Sequence, residues 1–354
     1  MEDNVYFIGL IVVGAIGALI GLSIVGGGFS ANSLSANPLD IFSSVFASVQ
    51  TDWSSSVGQI MISFDNFNNS HQIILDEKSQ IKIFDVASYL KQNMMWIGTD
   101  KGLFLSRDGG LTWNRFSSSN GEINPQSMVF KVLPASGNGE DFFISVFSNR
   151  KGAGYRTYAY FFNHQEVMDF DQEGAYDIYS SGNYLYFAMS TGQIIRFNLS
   201  TNESTVVNAF SSPILKIYRP GDGYFYLLLK NGTILRGGTL SGKFTAINAP
   251  GNWLFGSTPV KNVVFDSGSI YILTKDGVQV SYDSGESFAL LKHIPILKNQ
   301  VDAIGLHNGV LYVISVQNLY ISKDGGINWK IVPLGNEFKA GQFYFTGGRI
   351  LLSR

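Results

Sequence analysis

Ser106-Arg107-Asp108-Gly109-Gly110-Leu111-Thr112-Trp113 decides how the rest of this chain is read, because it returns twice. It comes back as Ser281-Tyr282-Asp283-Ser284-Gly285-Glu286-Ser287-Phe288 and as Ser322-Lys323-Asp324-Gly325-Gly326-Ile327-Asn328-Trp329. An Asp side chain at this spacing accepts hydrogen bonds from nearby backbone N–H groups and closes a tight turn. Gly110, Gly285 and Gly326, two residues further on, permit positive φ. The side chain of Thr112, Ser287 or Asn328 can bond back to the carboxylate. Trp113, Phe288 and Trp329 then supply an aromatic wedge. Each octapeptide therefore reads as a staple across a hairpin corner.

The three copies fit S-x-D-x-G-x-[S/T/N]-[W/F]. They resemble the Asp-box, or bacterial neuraminidase repeat, of sialidases, sortilin and the photosystem II assembly-factor propellers. The resemblance implies an all-β propeller over 57–354. It implies no particular activity, because the box is a structural device shared by proteins of unrelated function. A calcium site at Asp108, Asp283 or Asp324 is disfavoured, since each box offers one carboxylate and a hard cation needs several oxygens.

Working outward, each box sits in a common frame of two apolar strands around a short turn, as in Trp96–Asp100, Lys101-Gly102 and Leu103–Ser106. The frame recurs at 184–200, 224–238, 270–283 and 310–324, with a divergent copy at 142–163. A degenerate box at Ser63 precedes them all. Steps of roughly 43 residues between Ser63 and Ser322 give seven box positions, within the usual range for a propeller blade. The C-terminal stretch 341–354 supplies only two strands. The expectation is a seven-bladed β-propeller with a composite last blade, closed by N- and C-terminal strands so that no sheet edge stays open at the seam.

Val5 to Val25 is a continuous apolar run that matches the ~30 Å hydrocarbon core at ~1.5 Å per residue. Residues 1–28 are expected to form a transmembrane helix acting as signal anchor, with membrane lipid the partner of residues 5–25. A cleaved signal peptide would want a basic head, whereas Met1-Glu2-Asp3-Asn4 has no Lys or Arg. Gly14, Gly17, Ala18 and Gly21 form a small-residue stripe suited to helix packing. Residues 29–56 read as a linker with a short amphipathic helix after Asn37-Pro38, lying either on the membrane or on the propeller. No positive charge flanks the anchor, so nothing in the sequence holds the propeller in the cytoplasm. The expected location is extracytoplasmic: periplasmic, lumenal or extracellular.

In a propeller, the turns between second and third strands share one face with the connections between blades. Here most of these turns are two or three residues long and build a flat face that cannot wall a deep pocket. Ser148 to Arg156 is the exception, and Arg150, Lys151, Tyr155 and Arg156 are candidates to grip an acidic or aromatic feature of a partner. Trp253 and Phe255, in an apolar connection between blades, are candidate interface anchors.

A net charge of −2 argues against a nucleic-acid partner. There is no cysteine, so thiolate chemistry and disulfides are excluded. The four histidines are dispersed without ligand spacing. Resemblance to sialidases would imply an arginine triad and a Phe-Arg-Ile-Pro motif; the motif is absent, and the nine arginines show no consistent place in the repeat. No catalytic residue, cofactor or metal site is expected. The leading expectation is a membrane-anchored protein-interaction or assembly module of a membrane complex or cell surface. The alternative is a glycan-binding or glycan-cleaving, sialidase-like propeller.

Overall fold

A computed structural model describes residues 59–353, apart from short stretches that include 64–69, 76–80, 90–92, 135–141, 149–153, 162–165, 170–173, 248–259, 297–300 and 335–341. Alternation of β-branched and aromatic residues, cut by Gly and Asn turns, gives 28 strands and no helix among the described residues. They assemble into seven antiparallel sheets of four strands.

Six sheets are built from consecutive strands. The first holds β3 (Ile83–Tyr89), β4 (Met94–Thr99), β5 (Gly102–Ser106) and β6 (Asn114–Phe116). The next holds β7 (Met128–Pro134), β8 (Phe142–Ser148), β9 (Gly154–Phe161) and β10 (Glu166–Asp169). Then follow β11 (Ala175–Ser181), β12 (Tyr184–Met189), β13 (Gln193–Asn198) and β14 (Glu203–Ala209), and after them β15 (Ile214–Tyr218), β16 (Phe225–Leu229), β17 (Ile234–Gly237) and β18 (Phe244–Ala246). The last two hold β19 (Val260–Asp266), β20 (Ser269–Thr274), β21 (Gly277–Ser281) and β22 (Ala289–Leu290), then β23 (Ala303–His307), β24 (Val310–Ser315), β25 (Asn318–Ser322) and β26 (Lys330–Pro333).

The seventh sheet is assembled from both ends of the described chain. Its order is β2 (Ser70–Ile74), β1 (Gln59–Ser63), β28 (Arg349–Ser353) and β27 (Gln342–Thr346). Ser63 pairs with Ile350 across the seam. First strands pack on first strands, β3 beside β7 and β7 beside β11, with β27 returning to β3. The architecture is an all-β propeller.

The core lies between sheets. Trp96, Leu103, Ile123, Val129 and Ile144 form one cluster that joins the β3–β6 sheet to its neighbour, and equivalent clusters follow around the ring. Burying a large apolar side chain contributes about 1.5–3 kcal/mol each. Close approach is enforced at Gly98, where a Cβ would lie 2.6 Å from the Val129 carbonyl oxygen of the next sheet.

The anchor at 1–28, the small-residue stripe Gly14, Gly17, Ala18 and Gly21, and the linker helix lie outside the described residues. Among the described residues no helix is long and apolar enough to cross a membrane. The long turn expected from Ser148 to Arg156 is shorter than read. Tyr155 and Arg156 belong to β9, paired with Phe147 and Val146, because Gly154 already starts the ladder opposite Ser148. The glycines at 152 and 154 had disguised a strand start as loop.

Candidate functional site

Three kinds of polar cluster stand out, and the boxes come first. Ser106 Oγ donates to Asp108 Oδ1 at 2.7 Å and accepts from the Gly110 N–H at 2.8 Å. The same Oδ1 accepts from the N–H groups of Leu111 and Thr112, while Thr112 Oγ1 donates to Oδ2 at 2.5 Å. Asp283 and Asp324 repeat the pattern, with Ser287 Oγ and Asn328 Nδ2 as the return donors. Gly110, Gly285 and Gly326 take φ of 98°, 91° and 94°. In the Trp113 and Trp329 boxes the indole N–H also donates to the box glycine carbonyl, at 2.9 and 3.0 Å.

Every carboxylate oxygen is thus occupied by a donor from its own corner. Partial burial pushes the Asp108 carboxyl up, but the bonds from Thr112 and Ser106 prevail and hold it at about 2. The side chain of Ser287 lowers Asp283 to about 2, and the Asn328 backbone does the same for Asp324. Among the described residues no group of three or more His, Asp or Glu is placed to hold a metal ion. The boxes are structural corners.

The second cluster lines the first strands, where the sequence reading saw nothing. Four of these strands place a charged residue directly after a β-bulge: Asp85 on β3, Lys131 on β7, Asp177 on β11 and Lys216 on β15. The Lys131 ammonium lies 3.5 Å from Asp85 Oδ2 and 3.2 Å from Asp177 Oδ1, so one lysine ties three consecutive sheets. Both aspartates also accept a backbone N–H from the following sheet: Val132 at 3.0 Å for Asp85 and Ile217 at 2.9 Å for Asp177. Burial works to lower the Lys131 pKa, but the Asp177 and Asp85 charges outweigh it and hold the ammonium above its ordinary value.

The third cluster is on the corner face, between the boxes. Arg196 sits 5.1 Å over the Tyr184 ring, and Arg236 sits 4.9 Å over the Tyr224 ring. These two arginines hold the same place in successive sheets, opposite Tyr186 and Tyr226 in register. The sequence reading found no consistent place for the nine arginines; these two share one. Arg219 lies over Phe225 at 4.9 Å and donates to Tyr179 Oη at 3.1 Å. Arg236 reaches the next sheet, donating to the Ser284 carbonyl at 2.8 Å and pairing with Glu286 at 2.5 Å. Arg219 is exposed, and its guanidinium carries five N–H donors, of which one bond to Tyr179 is defined.

Exposed apolar groups share this corner face: Tyr224, Leu111, Tyr282 and Ile327. Tyr282 Oη bonds the Gly325 carbonyl of the neighbouring box at 3.4 Å. Of the residues singled out from sequence for partner binding, Arg150, Lys151, Trp253 and Phe255 lie outside the described residues. Tyr155 and Arg156 are placed on β9 by their backbone pairing alone.

Comparison with known proteins fits this architecture. Residues 320–330 match the BNR/Asp-box repeat model, over the last of the three boxes. No curated protein matches the chain in sequence. Among solved structures, YCF48 bound to D1 peptide is similar with a TM-score of 0.57 and 14% identity, covering 76% of this chain and 92% of that one. YCF48 from Cyanidioschyzon merolae gives a TM-score of 0.59 at 14% identity, with 76% and 94% covered. The extracellular domain of a putative hybrid two component system, BT4673 from B. thetaiotaomicron, gives 0.52 at 14%, covering 72% of this chain and 33% of that one. At these identities the likeness is one of fold.

Proposed function

We propose that this protein is a non-enzymatic interaction module. Its seven sheets act as the seven blades of one ring, held at a membrane by residues 5–25 with the ring on the extracytoplasmic side. The partner is a protein, part of a membrane complex or cell surface. The observation that carries this reading is the corner face between boxes, where Arg196, Arg219 and Arg236 are stacked on aromatic rings beside exposed Tyr224. Stacked guanidinium groups with spare donors suit carboxylates on a partner chain, because part of their side-chain freedom is already spent. A similar propeller has been captured with a peptide, which supports the reading without defining the ligand here.

Arg150, Lys151, Tyr155 and Arg156, with the apolar pair Trp253 and Phe255, are a second candidate contact region for the same partner. Cross-linking mass spectrometry on intact membranes identifies the partner. Pull-down with Arg219→Glu and Arg236→Glu, against Arg150→Glu, Lys151→Glu and Arg156→Glu, assigns the face. Loss of capture only in the first set supports the corner face. Capture unchanged in both sets, or turnover of a sugar substrate, overturns the proposal.

A further inference from the structure

Asn-x-Ser/Thr occurs four times in the chain, at Asn68, Asn198, Asn202 and Asn231. Such a triplet is the acceptor for an N-linked oligosaccharide, a bulky polar chain that the fold must leave in solvent. Asn68 lies outside the described residues. The other three triplets sit in very different surroundings.

Asn198 is half-buried, and its Oδ1 accepts from Asn183 Nδ2 at 3.1 Å and from the Ser200 N–H at 2.9 Å. The Ser200 hydroxyl, which completes this triplet, accepts from the same Asn183 amide. Asn231 is half-buried in the turn between β16 and β17, where its Oδ1 accepts the Thr233 N–H at 3.0 Å. Its own N–H donates to Ser212 Oγ at 3.2 Å, and Gly232 beside it is buried. Both asparagines are fittings of their turns.

Asn202 is different. It is exposed, as are Glu203 and Ser204, the rest of its triplet. Its main chain is held, with φ of 57° and the N–H donating to the Asn198 carbonyl at 2.9 Å. Neither its side-chain amide nor the Ser204 hydroxyl bonds another described residue. A rigid turn thus presents a free amide to solvent.

A second observation concerns the strand that Asn202 leads into. β14 ends its sheet and is seven residues long, against two to five for the last strands of the other six sheets. It carries one charge, Glu203, and exposes Val206. A long outer edge with so little charge invites pairing with another chain, and proteins blunt such edges. A hydrated oligosaccharide at the head of β14 would stand over that flank.

We infer that Asn202 is an N-glycosylation site, which rests on the extracytoplasmic placement proposed above. The donor is a lipid-diphosphate-linked oligosaccharide. Asn202 Nδ2 attacks the sugar C1 and forms the C–N bond. The bond from C1 to the diphosphate oxygen breaks, the lipid diphosphate leaves with its electron pair, and the amide gives up one proton.

Intact mass and glycopeptide mapping of the full-length chain, recovered from the membranes of the cell that makes it, test this. The expected result is a gain of one oligosaccharide, roughly 1–2.5 kDa, mapped to Asn202 and removed by peptide-N-glycosidase. Asn202→Gln and Ser204→Ala abolish the gain, Ser204→Thr retains it, and Asn198→Gln and Asn231→Gln leave it intact. Placement is read separately. The chain has no cysteine, so Lys323→Cys, at an exposed corner, gives it a single thiol. An impermeant maleimide on the cytoplasmic side of sealed membranes spares an extracytoplasmic ring until detergent is added. A spared chain without sugar, or sugar at Asn198 or Asn231 in place of Asn202, overturns the inference and leaves the placement standing. A labelled chain without sugar overturns both.

Discussion

Sheets that carry an Asp-box and sheets that lack one solve the same problem in different ways. In β3–β6, β19–β22 and β23–β26, a carboxylate gathers donors from its own turn and closes the corner locally. In β7–β10, β11–β14 and β15–β18, which lack a box, described charges reach outward, met from the boxed β3–β6 sheet by Asp85. Lys131 bridges to the sheets on both sides, Arg219 reaches back to Tyr179, and Arg236 reaches forward to Glu286. A box satisfies its aspartate from within its own turn, while its flanking groups, such as Tyr282, Ser284 and Glu286, still bond neighbouring sheets. Its absence leaves a sheet that relies on neighbours and shows them unspent hydrogen-bond donors.

The strongest challenge to that contrast is Lys131→Met. It leaves two buried carboxylates without their common counter-ion and is expected to cost about 3–5 kcal/mol, read by urea denaturation. A loss below 1 kcal/mol would mean that the boxless sheets are not held by charge. Ser322→Ala comes next. It removes the buried hydroxyl that accepts from Gly326 and donates to Asp324, for an expected loss of about 1–3 kcal/mol.

Arg236→Met sharpens the comparison from the other side. Its partner Glu286 is largely exposed, so stability should fall by only about 0.5–1 kcal/mol, less still in 1 M salt, while partner capture is lost. The smallest effect is titration of the boxes. Their folded carboxyls near 2 lie below the ordinary 3.8, so the stability they contribute is complete above about pH 4 and disappears as pH falls through about 2. Melting temperatures at pH 5 and pH 3 should differ less in the triple variant Asp108→Asn, Asp283→Asn, Asp324→Asn than in the parent.

The sequence was legible where the signal is contiguous. Each box packs an acceptor, a left-handed glycine and an aromatic into eight residues, so its geometry could be read directly. The strand-turn-strand frame was legible too, because alternation is local. The charged cluster on the first strands escaped notice because its members are one repeat apart. Phe84-Asp85-Val86, Phe130-Lys131-Val132, Tyr176-Asp177-Ile178 and Leu215-Lys216-Ile217 share a signature of one charge between apolar neighbours. Aligning the repeats on their first strands would have exposed it.

The stacked arginines were hidden by register. Arg196 meets Tyr184 only because β12 and β13 pair with Tyr186 opposite Arg196, which spacing alone does not fix. Tyr155 and Arg156 were misplaced for a related reason, since glycine marks both a turn and the first residue of a strand.

The sheet that joins β1 to β28 also orders events in time. During synthesis the strand at Gln59–Ser63 emerges before the strands of the six consecutive sheets, yet its mate at Arg349–Ser353 emerges only after all of them. Until then β1 has a free flank, and the growing ring is an open arc with one unsatisfied edge at each end. Such long-range pairing is slow to form. A chaperone or a nearby strand has that interval in which to occupy the flank, and a ribosome that stalls upstream of Arg349 would release a molecule that cannot shut.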